Sequence, residues 1–303
     1  MIVDLHTHTP SHRDAVPEAE AVSNSVWRPD RPVMATTSWA DYDEAAQEAG
    51  IDVSVVFGIA VADPAKSVGL PGTSGDINDE TAAFVAAAPT RRVGFFSVHP
   101  DESGALDRAE RCRTELGLRG IKLGPNYQGF HPLGPGARRL YAYAEQYHLP
   151  VLLHQGASPV RTAPLRLAHP LLIDEVAADF PELRIVLAHI AHPWQADALI
   201  VARKHPHVYC DVSAGFYRPW SFYSALRLAH EWGVFDKLLF GSDYPVARPA
   251  EALAGLREIV DLPARASLPP IEPEAIEALI HRDSLELLRI PRPIHPTLQE
   301  GAR

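Results

Sequence analysis

Two histidines one residue apart, His6 and His8 in Ile2-Val3-Asp4-Leu5-His6-Thr7-His8, are the first residues of this chain able to do chemistry. The apolar residues before them predict a short β-strand, on which side chains two apart share a face. Their attachment points then lie about 7 Å apart, close enough for both imidazoles to converge on one cation. Alone, such a pair reads more readily as two surface histidines near a terminus. The later strands decide the matter.

Apolar, β-rich runs predict further strands at 51–57, 92–98, 120–123, 151–154, 184–189, 208–212 and 237–243, and helices are predicted at 41–49, 79–88, 101–116, 136–148, 173–180, 194–204 and 220–232. Asp41 is the expected N-cap of the first of these helices, with Gly50 after its end. Eight short strands, apolar on both faces and alternating with helices, predict a closed (β/α)8 TIM barrel of class α/β. An open dinucleotide-binding sheet is disfavoured, because no Gly-x-Gly-x-x-Gly turn follows the first strand. Helices at 250–261 and 274–288 form a C-terminal extension, joined by a proline-rich linker at 262–273. Residues 1–290 are expected to be one domain and 291–303 a tail. The polar stretches at 10–37, 63–75 and 126–135 are expected to be irregular loops that shape specificity, with Trp27, Trp39, Tyr127 and Phe130 suited to an aromatic or apolar ligand.

In such barrels the active site lies at the C-terminal ends of the strands. Period-two alternation aims Ile2, Asp4, His6 and His8 inward from the first strand, Gly120 and Lys122 from the fourth, and Leu152 and His154 from the fifth. From the sixth it aims Ile185, Leu187 and His189, and from the eighth Leu239, Gly241 and Asp243. Each has an ordinary structural reading: a hydrogen-bonded core histidine, a snorkelling lysine, a turn aspartate before proline. Together, four histidines, a lysine and an aspartate at one mouth predict a metal site.

These residues carry a resemblance. Asp4-Leu5-His6-Thr7-His8, Gly120-Ile121-Lys122-Leu123-Gly124-Pro125, Leu149 through Gly156 around His154, Ile185-Val186-Leu187-Ala188-His189 and Phe240-Gly241-Ser242-Asp243-Tyr244-Pro245 make the chain similar to the amidohydrolase superfamily. The likeness is to its amidohydrolase-related, aminocarboxymuconate semialdehyde decarboxylase-like branch, and it extends to Leu288. It implies one divalent metal, usually zinc with manganese as the alternative, held by His6, His8, His154 and Asp243, with His189 unligated and acting on substrate. Three histidines and a carboxylate suit zinc with one position left open. Binuclear members use a carboxylated lysine as a bridge, and Lys122 has that residue type; in the favoured one-metal arrangement Lys122 instead holds a substrate oxyanion or carboxylate. The chain departs from the branch pattern at Ile190-Ala191-His192, where glycines often follow the histidine. His192 is either a substrate contact or a helix-entry residue before Pro193, and Arg218 either reaches a substrate carboxylate or, the favoured reading of the residue alone, is a solvated loop arginine.

The expected reaction is hydrolysis of a small amide, lactone or ester, with Asp243 taking a proton from water and His189 and the metal polarising the carbonyl. The alternative is non-oxidative decarboxylation of a small carboxylic acid, which the same residues would serve. A silent metal-binding scaffold is disfavoured by the presence of both His189 and Asp243. Lys and Arg total 28 against 38 Asp and Glu, a formal charge of -10, which argues against nucleic-acid or anionic-lipid partners and for a small-molecule substrate. No signal-like or membrane-spanning segment is expected, and Cys112 and Cys210 are read as buried thiols of a reducing cytoplasm. Similar proteins often form homodimers.

Overall fold

The computed structural model describes residues 1–21, 23–60 and 76–293. The predicted loop at 63–75 and the tail from 294 lie outside these residues. Eight parallel strands run β1 (Val3–His8), β2 (Val53–Phe57), β3 (Arg92–Gly94), β4 (Ile121–Leu123), β5 (Val151–Leu153), β6 (Ile185–Leu187), β7 (Val208–Asp211) and β8 (Leu238–Leu239). β1–β3 form one sheet and β4–β8 a second. Both seams are stitched by backbone bonds. Phe96 N–H donates to Gly120 O at 2.9 Å and Lys122 N–H to Phe96 O at 2.7 Å, while Leu5 N–H donates to Phe240 O at 3.0 Å and Asp243 N–H to His6 O at 2.8 Å. The barrel is therefore closed. Around it run the helices Trp39–Glu48, Ile77–Ala87, Ala105–Thr114, Pro135–Gln146, Leu171–Asp179, Gln195–Lys204, Pro219–Glu231 and Pro249–Glu258, one after each strand.

Two apolar layers follow from strand alternation. Ile121, Leu123, Val151, Leu153, Ile185 and Leu187 pack outward with the helices, whereas Val3, Leu5, Leu152, Val186, Tyr209 and Leu239 fill the interior. Leu285, Leu288 and Ile290 join the interior cluster from the C-terminal extension and close its floor against Val3, Val53 and Val93. The chemistry is thereby left to the other end.

Several local expectations are corrected. Ser38, not Asp41, is the N-cap of the first helix: its Oγ accepts from Asp41 N–H at 3.2 Å and the Asp41 carboxylate accepts from Ser38 N–H at 2.7 Å, a reciprocal capping box. Within 10–37 there is a 3-10 turn, Glu18–Glu20, and a two-stranded ribbon pairing Ser23–Asn24 with Val33–Met34. The linker contains a helix, Asp261–Ala266, and the expected helix at 274–288 is two, Pro273–Ile280 and Ser284–Leu287. The 126–135 stretch includes the short helix Pro125–Gln128. Among the described residues no helix is long and apolar enough to cross a membrane, and Cys112 and Cys210 are both free and buried.

Candidate metal centre

Alternation alone does not bring His6 inside. Val3 and Leu5 point into the barrel, so uninterrupted pleating would aim His6 outward with Asp4. An irregularity in the β1–β2 register between Asp4 and Thr7 resets the phase, and His6 then packs edge-on against Phe57, at 5.1 Å between ring centres. Asp4 stays on the outer face, its carboxylate accepting from Ser242 N–H at 2.9 Å and Ser242 Oγ at 2.6 Å, which ties β1 to the segment after β8. The expectation that Asp4 shares a face with the histidines is thus corrected. Gly241 makes the close approach possible, since a Cβ there would lie 2.7 Å from His6 Cβ.

His189 is also delivered by a turn rather than by pleating. Ile185 and Leu187 face the helices, β6 ends at Leu187, and His189, Ile190 and Ala191 follow with φ of 59°, 47° and 50°. This left-handed turn swings the imidazole over the mouth, where its ring centre lies 4.8 Å from that of His6 and 5.1 Å from that of His154. Lys122, His154 and Asp243 reach the centre on the faces expected of them.

His6 Nε2 and His8 Nε2 lie 3.3 and 3.4 Å from one atom, Asp243 Oδ1. That is longer than a usual N–H···O bond, and matches the roughly 3.3 Å that separates two ligand atoms each about 2.0–2.1 Å from a tetrahedral ion. His6, His8 and Asp243 form one trio whose ligand atoms all lie within 4.8 Å of one another. His154 stands outside it but lines the same cavity, and its buried Nε2 has no hydrogen-bond partner. Burial first, then the neighbouring Lys122, pushes His8 down to about 3; burial holds His6 and His154 well below the ordinary imidazole range. These rings are neutral and offer lone pairs, as a cation requires. The residues present therefore fit a divalent ion.

A second trio, His6, His189 and Asp211, also meets the spacing for a metal, but its ring nitrogens are already hydrogen-bonded, His6 Nδ1 to Asp211 and His189 Nδ1 to Ser213 Oγ. Asp211 Oδ2 takes His6 Nδ1–H at 2.9 Å and Oδ1 takes the backbone N–H of His189 at 3.0 Å. It is the carboxylate that orients His6 from behind. Sequence reasoning missed both Asp211 and Ser213, although Asp211 stands two residues after inward-facing Tyr209 and could have been found by carrying the alternation along β7.

The cavity above these groups encloses about 650 Å³ of space open to solvent. Lys122, His192 and Arg218 all line it, with Trp27, Tyr127 and Tyr217 as aromatic walls. His192 Nδ1 is held by Gln195 at 2.9 Å, and one Arg218 nitrogen donates to Ala214 O at 2.7 Å. Trp39 and Phe130 are not in it; they pack against Phe84 and His99 instead. Trp27 is placed by its neighbour. The Arg28 side chain, 1% exposed, pairs with Asp30 and with Glu251 at 2.9 Å and stacks 4.5 Å over Tyr217, clasping the ribbon onto the helix after β8. Arg28→Met removes every one of these donors at a cost of about 1–3 kcal/mol to the local fold. Amide exchange across residues 24–34 should then rise at least about fivefold while the barrel strands keep their protection; unchanged exchange would show that Arg28 does not hold the segment.

Lys122 is buried 3.2 Å from His6 Nε2 and 4.3 Å over the Phe57 ring. Burial pulls its ammonium from 10.5 down to about 7, against the opposing pull of Asp211 and Asp243. Between those two values the unfolded chain holds a proton that the folded chain has released, so this lysine makes the metal-free protein more stable as pH rises from 7 towards 10. Lys122→Met is expected to stabilise the metal-free protein at pH 7 by on the order of 2 kcal/mol and to flatten that rise. Thermal unfolding across the window checks it, and a less stable variant at pH 7 would contradict the assignment.

The family model described as amidohydrolase matches residues 3–290. The chain belongs to this amidohydrolase family and is an enzyme of that metal-dependent class. Solved structures of the same fold include an uncharacterised TIM-barrel protein from Bordetella bronchiseptica, at 24% identity and TM-score 0.72 over 95% of this chain and 98% of that one. A dihydroxybenzoic acid decarboxylase from Polaromonas sp. JS666, with bound manganese and the inhibitor 2-nitroresorcinol, is 17% identical with TM-score 0.64 over 95% and 96%. A probable 2-pyrone-4,6-dicarboxylic acid hydrolase from Acinetobacter baumannii, with citric acid bound, is 16% identical with TM-score 0.60 over 95% and 99%.

Proposed function

We propose that the chain hydrolyses a small amide, lactone or ester at a single divalent ion, zinc by donor set and manganese as the alternative, held by His6, His8, His154 and Asp243. The observation that carries this reading is the meeting of two neutral imidazoles on one carboxylate oxygen at 3.3 and 3.4 Å, beside a third imidazole with an unpartnered nitrogen. When bound, such an ion supplies Lewis acidity that polarises a carbonyl and brings the pKa of water towards neutrality. Asp243 accepts the proton that water gives up on attack and hands it to the leaving group. In the metal-free chain burial pushes its carboxyl up to about 6, with His189 and Lys122 pulling the other way, and a bound cation would lower it from there and hold it ionised. Lys122, Arg218 and His192 hold the substrate's anionic oxygens, and Trp27, Tyr127 and Tyr217 enclose its apolar part. The partner is a small molecule, the charge of -10 disfavouring nucleic acid and anionic membrane; a cytoplasmic homodimer completes the proposal.

Decarboxylation is the second reading. It is supported by the donor-rich cavity wall of Lys122, His192 and Arg218, which would hold a carboxylate. The decarboxylase from Polaromonas has the same fold. Incubating the zinc- or manganese-loaded enzyme with panels of lactones, amides and aromatic or dicarboxylic acids in ¹⁸O-water separates the two. Label in the product without carbon dioxide supports hydrolysis; carbon dioxide release without label replaces it with decarboxylation.

A further inference from the structure

We propose that Ser213 and Asp211 fix His189 as its Nδ1–H tautomer, so that its Nε2 meets the cavity as a bare acceptor and the residue enters any reaction by taking a proton or hydrogen bond, not by giving one. The inference follows from counting protons in one cluster. Asp211 Oδ1 already accepts from the backbone N–H groups of His189 at 3.0 Å and Ser213 at 3.1 Å, and the Ser213 hydroxyl lies against the same oxygen. A carboxylate has acceptors only, so the single proton of Ser213 Oγ points at Asp211; turning it elsewhere would set two lone pairs against each other. Towards His189 Nδ1, 2.8 Å away, Oγ can then act only as acceptor, and the hydrogen of that bond belongs to the ring. The other nitrogen, Nε2, is left without a proton in the cavity that His189 lines.

The same count puts a proton on His6 Nδ1, which donates to Asp211 Oδ2 at 2.9 Å, and bares His6 Nε2 towards Asp243. One carboxylate thus sets the tautomers of both rings. The backbone is built around it: His189, Ile190 and Ala191 all take left-handed φ, a conformation that non-glycine residues rarely hold, and in this turn the His189 N–H reaches Asp211. The assignment replaces the expectation that His189 polarises a carbonyl by donating to it. Ser213 is a positioning residue that acts through His189. The part played by His189 in turnover rests on the proposed function, but its tautomer does not, and the two fail separately because the test needs no substrate.

Long-range ¹H–¹⁵N correlation spectra of the zinc-loaded protein, ¹⁵N-labelled at histidine, give the readout at neutral pH, with the His189 signals identified by their loss in His189→Gln. The expected spectrum shows a protonated Nδ1 and an unprotonated Nε2; an Nε2 shifted by zinc with Nδ1 still protonated supports the same tautomer. Ser213→Ala, which removes the acceptor, should drop the Nδ1–H form to about half or less, and Ser213→Thr, which keeps the hydroxyl, should retain it. A wild-type ring protonated at Nε2, or a tautomer indifferent to Ser213→Ala, would overturn the proposal. The wild-type spectrum decides even if a variant fails to fold.

Discussion

Asp243→Asn is expected to lower turnover by about 10³-fold or more while leaving the fold intact and part of the metal bound. The magnitude is that of removing a positioned acid–base group, about 10²–10⁴-fold, together with a weakened ion. The fold should survive because Asp243 sits at φ 65°, a left-handed conformation that asparagine adopts as readily as aspartate. Its backbone bonds, N–H to His6 O at 2.8 Å and O to Val246 N–H at 2.7 Å, do not involve the carboxyl. What changes is chemical: an amide oxygen still faces His6 and His8 Nε2, but it cannot take a proton from water or return one. Metal content by elemental analysis, thermal unfolding and turnover on whichever substrate the isotope experiment identifies would be read together. Turnover within about tenfold of wild type, with metal bound, would remove Asp243 from the chemistry and leave it a ligand only.

The order of the elements was legible because strand and helix periodicities differ and because the turn chemistry sits where it should: all eight barrel strands and their helices lie where apolar runs and breakers predict them. The site was legible in its residue types. Its aiming was not. Strand alternation is a rule for uninterrupted pleats, and the two places where it fails are the two that matter most. At β1 an irregularity between Asp4 and Thr7 rescues His6 from the outer face, and at β6 a left-handed turn does the same for His189. In both cases the expected residue reached the centre for a different reason from the one given, and Asp4 was carried inside with them in error.

Asp211 and Ser213 were missed for another reason. A search for metal-binding side chains favours those that could touch an ion, whereas these act on His6 and His189 from behind, and Asp211 presents itself in sequence as one more acid in Tyr209-Cys210-Asp211-Val212. The ribbon around Arg28 was hidden because each of its strands is two residues long, too short for any period to show. Ser38 was passed over as N-cap for the acid three residues later, although a Ser-x-x-Asp spacing is the reciprocal pair that a helix start uses.

Stripping the metal should abolish turnover and also soften the protein. Three imidazoles held neutral by burial and a carboxyl raised to about 6 are groups whose unmet demand for a partner is charged against the metal-free fold. An ion that binds only the folded chain adds stability by mass action, about 4 kcal/mol when free metal stands at 1,000 times its dissociation constant. For a chain of this size that corresponds to a rise in Tm of about 5–10 °C, by extrapolation from smaller domains. Dialysis against a chelator is therefore expected to lower Tm by about that amount, with zinc or manganese restoring both Tm and turnover. His6→Ala should behave like the stripped protein and gain nothing from added metal, since it loses a ligand and leaves Asp211 without the ring it orients. Full activity after exhaustive chelation, or a Tm that metal does not move, would detach the His6, His8 and Asp243 trio from any cation and, with it, the reaction proposed for this cavity.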